Sequence, residues 1–265
     1  MKNKVTIKDV AREANVSVAT VSYVINNRED QKISPETKKK VLHTINLLNY
    51  TPNRAAKSLV TKKHQTVALY YHKHESFLKN AEQFYLIDSL SAYLHSKEYH
   101  LVCLNEQFIE KYDMADVIVT SDVSKEEFHQ IGNANFSPLI TLDSFIDDPL
   151  FFQVNSDYLH MRHIAENFFK GDPFTFVSIP IHNIERREHL LQVFSDVLFV
   201  NRLEDIQTIP SGNILIVDQT LNEILMDTKQ KLYLPNISEE KFNHLFQAIE
   251  WAMQRQEMDN HNILV

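Results

Sequence analysis

Four residues near the start of the chain carry side chains suited to meeting the edges of paired bases. Val18, Ala19, Ser22 and Tyr23 share the outer face of a short predicted helix. Their methyl groups fit a thymine methyl, and their hydroxyls fit single hydrogen bonds to a base edge. Such a face can read a groove only if other elements hold it out. The segment VTIKDVAREANVSVATVSYVINN, residues 5–27, supplies them as two short helices joined by a tight turn. Thr6 opens the first helix, where its hydroxyl is placed to cap free backbone amides while Asp9 reaches back as in a capping box. That helix should end near Ala14. Asn15 follows in the turn, where the backbone needs a left-handed conformation that Asn tolerates best after Gly. Ser17 then caps the second helix, and Val10, Ala11, Ala14, Val16, Val21, Val24 and Ile25 fall inward. A third helix starts at the Ser34 cap with Pro35 and Glu36 in its first turn, and should end near Leu48. Its stripe of Val41, Ile45 and Leu48 packs inward, leaving Lys38, Lys39 and Lys40 outside.

Three segments, TIKDVAREANVSVATVS, ISPETKKKV and LNYTPNRAAKSL, stand in the order and spacing of the lactose-repressor (LacI/GalR) family of bacterial regulators. Residues 5–60 resemble that family closely. The resemblance implies a helix-turn-helix head over residues 1–51, and a hinge helix with linker over 52–63. It also implies DNA contact by Thr6, Ser17, Val18, Ala19, Thr20, Ser22, Tyr23 and Asn26 in the head. In the hinge the matching positions are Asn53, Arg54, Ala56, Lys57 and Leu59. Paired hinge helices of the family enter the minor groove, and a leucine, here Leu59, wedges between base steps and kinks the duplex. A helix of about two turns cannot hold itself in water, so its folding should be coupled to binding. The family often carries Arg where this chain has Tyr23. A guanidinium takes both acceptors of a guanine and tyrosine cannot, so the half-site should differ near its middle. The role implied is a homodimeric repressor of carbohydrate use on a palindromic operator, since one head covers only a half-site.

Charge agrees with a head that touches phosphate. Residues 1–63 hold thirteen Lys or Arg against five Asp or Glu, a net of +8, while the remainder holds fourteen against thirty, a net of −16. The overall −8 therefore conceals a basic head on an acidic body.

From His64 onward, short apolar runs alternate with helical stretches. Strands are expected at 66–71, 100–105, 115–121, 138–144, 174–180, 214–218 and 231–235, and helices at 77–97, 124–131, 156–170, 184–195, 220–228 and 238–257. Apolar runs separated by helices argue for an α/β body of parallel sheets. The family's body, over 64–265 here, is a two-lobed sensor resembling periplasmic binding proteins, with a ligand between the lobes. FFQVNSDYLHMRHIAENFFK resembles its crossover, ERREHLLQVF its R-x-x-G-F segment without the glycine, and ILIVDQTLNEIL its N-D-Q region. Between Met226 and Lys231 the chain lacks the strand and loop that usually supply a ligand-clamping aspartate, so the C-terminal lobe is abbreviated.

Only three glycines, Gly132, Gly171 and Gly212, are available for close approach to a ligand, which argues against a conventional sugar clamp. By position, a sugar or phosphosugar effector would meet Arg186, Arg187 and Asp218. The bland alternative is a solvated Arg pair and an Asp capping the next helix. A body that binds no metabolite and receives a protein co-regulator is the competing expectation, since some members of the family bind a phosphocarrier protein.

Other chemistries find little support. No phosphate-cradling glycine loop exists, so nucleotide chemistry lacks its usual seat. His72 and His74 alternate after the first strand, but no cluster of recognised spacing completes a metal site, and a solvated loop is the expectation. Glu185–His189 read as an exposed charge run, and Cys103 as a small buried hydrophobe in a strand. No cofactor, metal or enzymatic activity is expected. One cysteine permits no internal disulfide, no apolar run approaches a membrane span of about 20 residues, and the N-terminus lacks a secretory apolar core. The expected location is the cytoplasm.

Overall fold

The structure, a computed structural model, describes residues 5–25, 28, 31–50, 64–105, 109–226, 230–256, 258 and 260–265. Contacts divide the chain into two compact units, Met1–Lys63 and His64–Val265.

The first unit contains α1 (Ile7–Glu13), α2 (Val18–Ile25) and α3 (Pro35–Leu47). Val10, Ala11, Ala14, Val21, Val24 and Val41 form its core, with Val16, Ile25, Ile45 and Leu48 packed against it. Local chemistry explains each boundary. Asn15 takes the left-handed turn at φ 51°. Ser17 Oγ accepts from Thr20 N at 3.0 Å, and Ser34 Oγ accepts from Thr37 N at 3.1 Å. Thr6 and Asp9 form the expected capping box. The Thr6 hydroxyl donates to Asp9 Oδ2 at 2.7 Å, beside a 3.0 Å bond from Thr6 N to the same oxygen. Thr44 is also buried, with Oγ1 donating back to Lys40 O at 3.0 Å.

The second unit holds two parallel sheets. In the larger, β1 (Thr66–Tyr71), β2 (His100–Asn105), β3 (Val117–Ser121), β4 (Leu139–Leu142), β5 (Gln153–Asn155) and β10 (Asn262–Leu264) stand in the order β10-β5-β4-β3-β1-β2. The smaller contains β6 (Phe174–Ser178), β7 (Val197–Phe199), β8 (Asn213–Ile216) and β9 (Lys231–Tyr233), ordered β7-β6-β8-β9. These short additional strands β5, β7 and β10 were not among the expected ones. The helices are α4 (Phe77–Ser96), α5 (Lys125–Ala134), α6 (Tyr158–Phe168), α7 (Ile184–Val193), α8 (Gln219–Ile224) and α9 (Glu239–Gln254).

The period-two pattern of β1 builds both faces of the larger sheet. Val67 and Leu69 pack with Leu86, Leu90 and Leu94 of α4 and with Phe242, Leu245 and Ile249 of α9. Ala68 and Tyr70 pack with Phe128 and Ile131 of α5 on the opposite face. In the smaller lobe, Phe176 and Leu215 meet α6 and α7, whereas Val177, Ile214 and Ile216 meet Leu221 of α8. Leu78, in the first turn of α4, belongs to this last cluster. One helix therefore runs from the core of one lobe into the core of the other.

Strand order reverses between β1 and β3 in the larger sheet and between β6 and β8 in the smaller. In open parallel sheets the crevice at the carboxyl ends of such strands is where side chains can converge. Here both crevices supply residues to the same cleft.

Candidate nucleic-acid interface and inter-lobe cleft

In the head, packing of α1, α2 and α3 leaves the N-terminal face of α2 outward. Val18 is 41% exposed and Ala19 is exposed, while Thr20, Ser22 and Tyr23 are half-buried at the edge of that face. Thr6 and Ser17 lie at the N-termini of α1 and α2. Lys38, Lys39 and Lys40 are exposed on α3. The hinge segment, with Asn53, Arg54, Ala56, Lys57 and Leu59, lies outside the described residues, as does Asn26.

In the body, acidic residues stand where β3, β4 and β8 end. Asp122 and Asp143 adopt left-handed backbone at φ 52° and 57°, a conformation short polar side chains tolerate. Both are buried, and both are met by cations. Lys79 of α4 pairs with Asp122. Arg186 of α7 reaches Asp122 at 3.7 Å and Asp143 at 3.6 Å, and its Nε donates to Tyr158 Oη at 2.8 Å. Lys241 of α9 donates to Asp143 at 2.6 Å, Ser156 at 2.7 Å and Asn236 at 2.8 Å. Burial alone would raise both carboxyls, but Lys79 and Arg186 around Asp122 hold it below the usual range. Arg186 and Lys241 do the same for Asp143. Burial pushes Lys241 down to about 8 even though Asp143 pulls the other way. Both partners are thus lowered, with opposite consequences for charge: two cations favour the ionised carboxylate, whereas burial first and the repulsion of Arg186 next disfavour the charged form of Lys241.

A second acidic pair closes the far wall. Glu82 accepts from Gln219 N at 3.1 Å and Thr220 N at 2.8 Å at the start of α8. Asp218 accepts from Ile179 N at 2.9 Å. Burial and the neighbouring Glu82 push the Asp218 carboxyl up to about 7. Among these groups remains a cavity of about 60 Å³, lined by Lys79, Glu82, Asp122, Asp143, Arg186 and Asp218 among others. That is well below the ~300–1,000 Å³ of ordinary ligand pockets.

Of the expected effector residues, Arg186 and Asp218 line this cavity, and Arg187 does not. Arg187 is exposed on the outer face of α7, because one helical step rotates it away from the buried Arg186. The charge run is thus not wholly a solvated face. Asp218 does sit at the N-cap of α8, but its carboxylate makes no capping bond there. Lys79, Asp122, Asp143 and Lys241 were not singled out from sequence.

Two further expectations need correction. Cys103 is exposed, because β2 is the edge strand of its sheet and this residue faces out. His72 and His74 are half-buried and face residues of the other lobe. Their ring centroids lie 4.6 Å apart, and the His72 ring stacks 4.9 Å from that of His182. His182 Nε2 lies 3.0 Å from Glu127 Oε2. Hydrogen bonding to His182 is the main cause that draws Glu127 down to about 2, and the same contact raises His182.

The family model described as "Bacterial regulatory proteins, lacI family" matches residues 6–53. The head of this chain belongs to the lacI family of bacterial regulatory proteins. The chain is 34% identical over 154 residues to the probable HTH-type transcriptional repressor ExuR of Bacillus subtilis, covering 54% of this chain and 44% of that one. Catabolite control protein A of Staphylococcus xylosus is 31% identical over 224 residues, covering 79% and 66%. The chain therefore spans less than two thirds of the length of these relatives. Among solved structures, the lac repressor dimer bound to operator and the anti-inducer ONPF superposes with a TM-score of 0.57 at 15% identity, covering 99% of this chain and 96% of that one. At that identity the likeness concerns the fold, a head followed by a periplasmic-binding-protein-like body. Among the described residues the second lobe has four strands, with β8 followed by the short α8 and then β9.

Proposed function

We propose that this chain is a sequence-specific DNA-binding transcriptional repressor that acts as a dimer on a palindromic operator. The observation that carries the reading is the outward N-terminal face of α2, fixed by the Ser17 cap and the Asn15 turn. A helix so presented fits a major groove, with Val18, Ala19, Ser22 and Tyr23 against base edges. Phosphate contact would come from exposed lysines of α3 and from the basic hinge segment. Hinge insertion, with Leu59 as the wedge, rests on the sequence resemblance. Relatives named as a transcriptional repressor and a catabolite control protein support genes of carbohydrate use as targets. A second copy is supported by Phe77 and Phe84, seven residues apart on α4 and 71% and 70% exposed.

The body departs from a sugar sensor in how its cleft is filled. Asp122, Asp143, Lys79, Arg186 and Lys241 satisfy one another where hydroxyls of a ligand would be met, and about 60 Å³ is left. This favours a body held closed by its own ion pairs, with repression set by protein level or by a protein partner. The second reading keeps a small effector, because Asp122 after β3 and Asp218 after β8 are hydroxyl-binding types at the two strand-order reversals, with Arg186 lining the same cavity; it requires the ion pairs to part.

Selection from random duplex DNA with the full-length chain tests the proposal. It should return a palindrome, and Tyr23→Arg should change preference at one symmetric pair of positions. Recovery of no consensus would overturn the reading. Calorimetry with sugars and phosphosugars separates the two views of the cleft: saturable heat supports an effector, and its absence supports the closed body.

A further inference from the structure

Apart from the ion pairs, one cluster at the cleft mouth is drawn from both lobes. His72 follows β1 directly, Glu127 lies in the first turn of α5, and His182 lies between β6 and α7. One ligand atom of each residue falls within 4.8 Å of the other two. We propose that His72, Glu127 and His182 bind one divalent transition-metal ion of the Zn²⁺ class and thereby fasten the two lobes to each other.

The donor chemistry selects the ion. Two imidazoles and a carboxylate suit Zn²⁺ and its first-row neighbours, whereas Mg²⁺ and Ca²⁺ prefer oxygen alone. Bonds of about 2.0–2.1 Å in a tetrahedral site place donors roughly 3.3 Å apart. His182 Nε2 and the two Glu127 oxygens already stand at 3.0 and 3.2 Å. A shift of the His72 nitrogen by no more than about 1.5 Å, from within 4.8 Å to roughly 3.3 Å, closes the rest of the set. The fourth position falls to water or to His74, whose ring centroid is 4.6 Å from that of His72 and 6.3 Å from that of His182.

The backbone around the cluster is held in place, as a metal site needs. Asp122 accepts from His182 N at 3.1 Å and from Asn183 N at 3.1 Å. Glu127 Oε2 accepts from Ser124 N at 2.6 Å, which fixes the carboxylate in its capping box. Asn80 clasps His74 through bonds to its carbonyl at 2.7 Å and its amide at 3.1 Å. Because His182 belongs to one lobe and His72 and Glu127 to the other, all three meet an ion only while the lobes are together. Metal would bind the closed body and stabilise it by mass action. The site lies beside the ion-paired cavity and uses none of its cations.

Isothermal calorimetry of the full-length chain with ZnCl₂, after chelator treatment, tests the proposal. One equivalent should bind with a Kd below about 10 μM, near 7 kcal/mol, and Co²⁺ should give visible bands of a nitrogen- and oxygen-ligated ion. His72→Asn, Glu127→Gln and His182→Asn should each weaken binding at least 100-fold, whereas the exposed pair His160→Asn with His163→Asn should not change it. Zn²⁺ should raise the Tm of the parent chain and not that of His182→Asn. The Co²⁺ spectrum needs no variant, so a variant that fails to fold does not remove the test. Binding weaker than about 10 μM, binding that survives His182→Asn, or tight binding that leaves the Tm unmoved would overturn the proposal.

Discussion

Arg186→Met should destabilise the body by about 3–4 kcal/mol at neutral pH, even though Arg is ordinarily a surface residue. The guanidinium is buried between two carboxylates, 3.7 Å from Asp122 and 3.6 Å from Asp143. Removing one partner of a buried ion pair costs roughly 3–5 kcal/mol, because the other charge stays buried. Lys79 and Lys241 remain on those same carboxylates, which brings the figure toward the low end. The buried Tyr158 hydroxyl loses its 2.8 Å donor, adding about 1 kcal/mol. Methionine keeps the chain length and fills the volume, so the loss reports charge rather than a cavity. Urea denaturation followed by far-UV circular dichroism at several pH values would measure it. Asp122 and Asp143 titrate below their ordinary 3.8 in the folded protein. Their stabilising contribution is therefore present above that value and lost as pH falls through the folded one. Without Arg186 the depression shrinks, so the gap between parent and variant should be widest near pH 7 and should narrow below about pH 4. A loss under about 1 kcal/mol, or a gap that widens on acidification, would refute the reasoning.

Other outcomes follow from single residues. Asp218 has a folded value raised to about 7 from 3.8, so the body should lose on the order of 2–3 kcal/mol between pH 5 and pH 8. Asp218→Asn should flatten that slope in paired denaturation curves, and parallel profiles would refute the assignment. Ser17→Ala removes the acceptor for Thr20 N and should lower the stability of the head by about 1 kcal/mol, read from its thermal unfolding. Tyr23→Arg should shift base preference at one symmetric position pair by about 1–3 kcal/mol in a competition assay; unchanged preference would remove Tyr23 from the base-reading face. Operator affinity should fall on the order of 10³-fold between 50 and 200 mM salt, and a flat response would contradict phosphate contact.

The head was legible because its determinants are local. Asn15, Ser17 and Ser34 set turns and caps with partners no more than a few residues away. Thr6 and Asp9 belong with them, since their capping box forms three residues apart as the pattern places it. In the body, β1 and β2 fell where their apolar runs stand, whereas β5, β7 and β10 are three-residue strands with too short a pattern to register. The cleft was hardest. Lys241 sits among the polar positions of α9, and its partner Asp143 is 98 residues away. Nothing in its neighbours says that it is buried. One signal was available: Asp122, Asp143 and Asp218 each follow an apolar strand run at the carboxyl end of a parallel sheet, where polar side chains of such folds converge. The histidine cluster was missed for the same reason, since Glu127 and His182 are 55 residues apart and only the crossing between lobes joins them to His72.

Fluorescence anisotropy of the full-length protein on the duplex recovered by selection, beside a scrambled duplex at the same salt, tests the central claim. The structure predicts binding to the palindrome at least about 10³-fold tighter than to the scrambled sequence, with two chains per duplex. Equal affinity for both duplexes would show that the α2 face reads no sequence and would contradict the account.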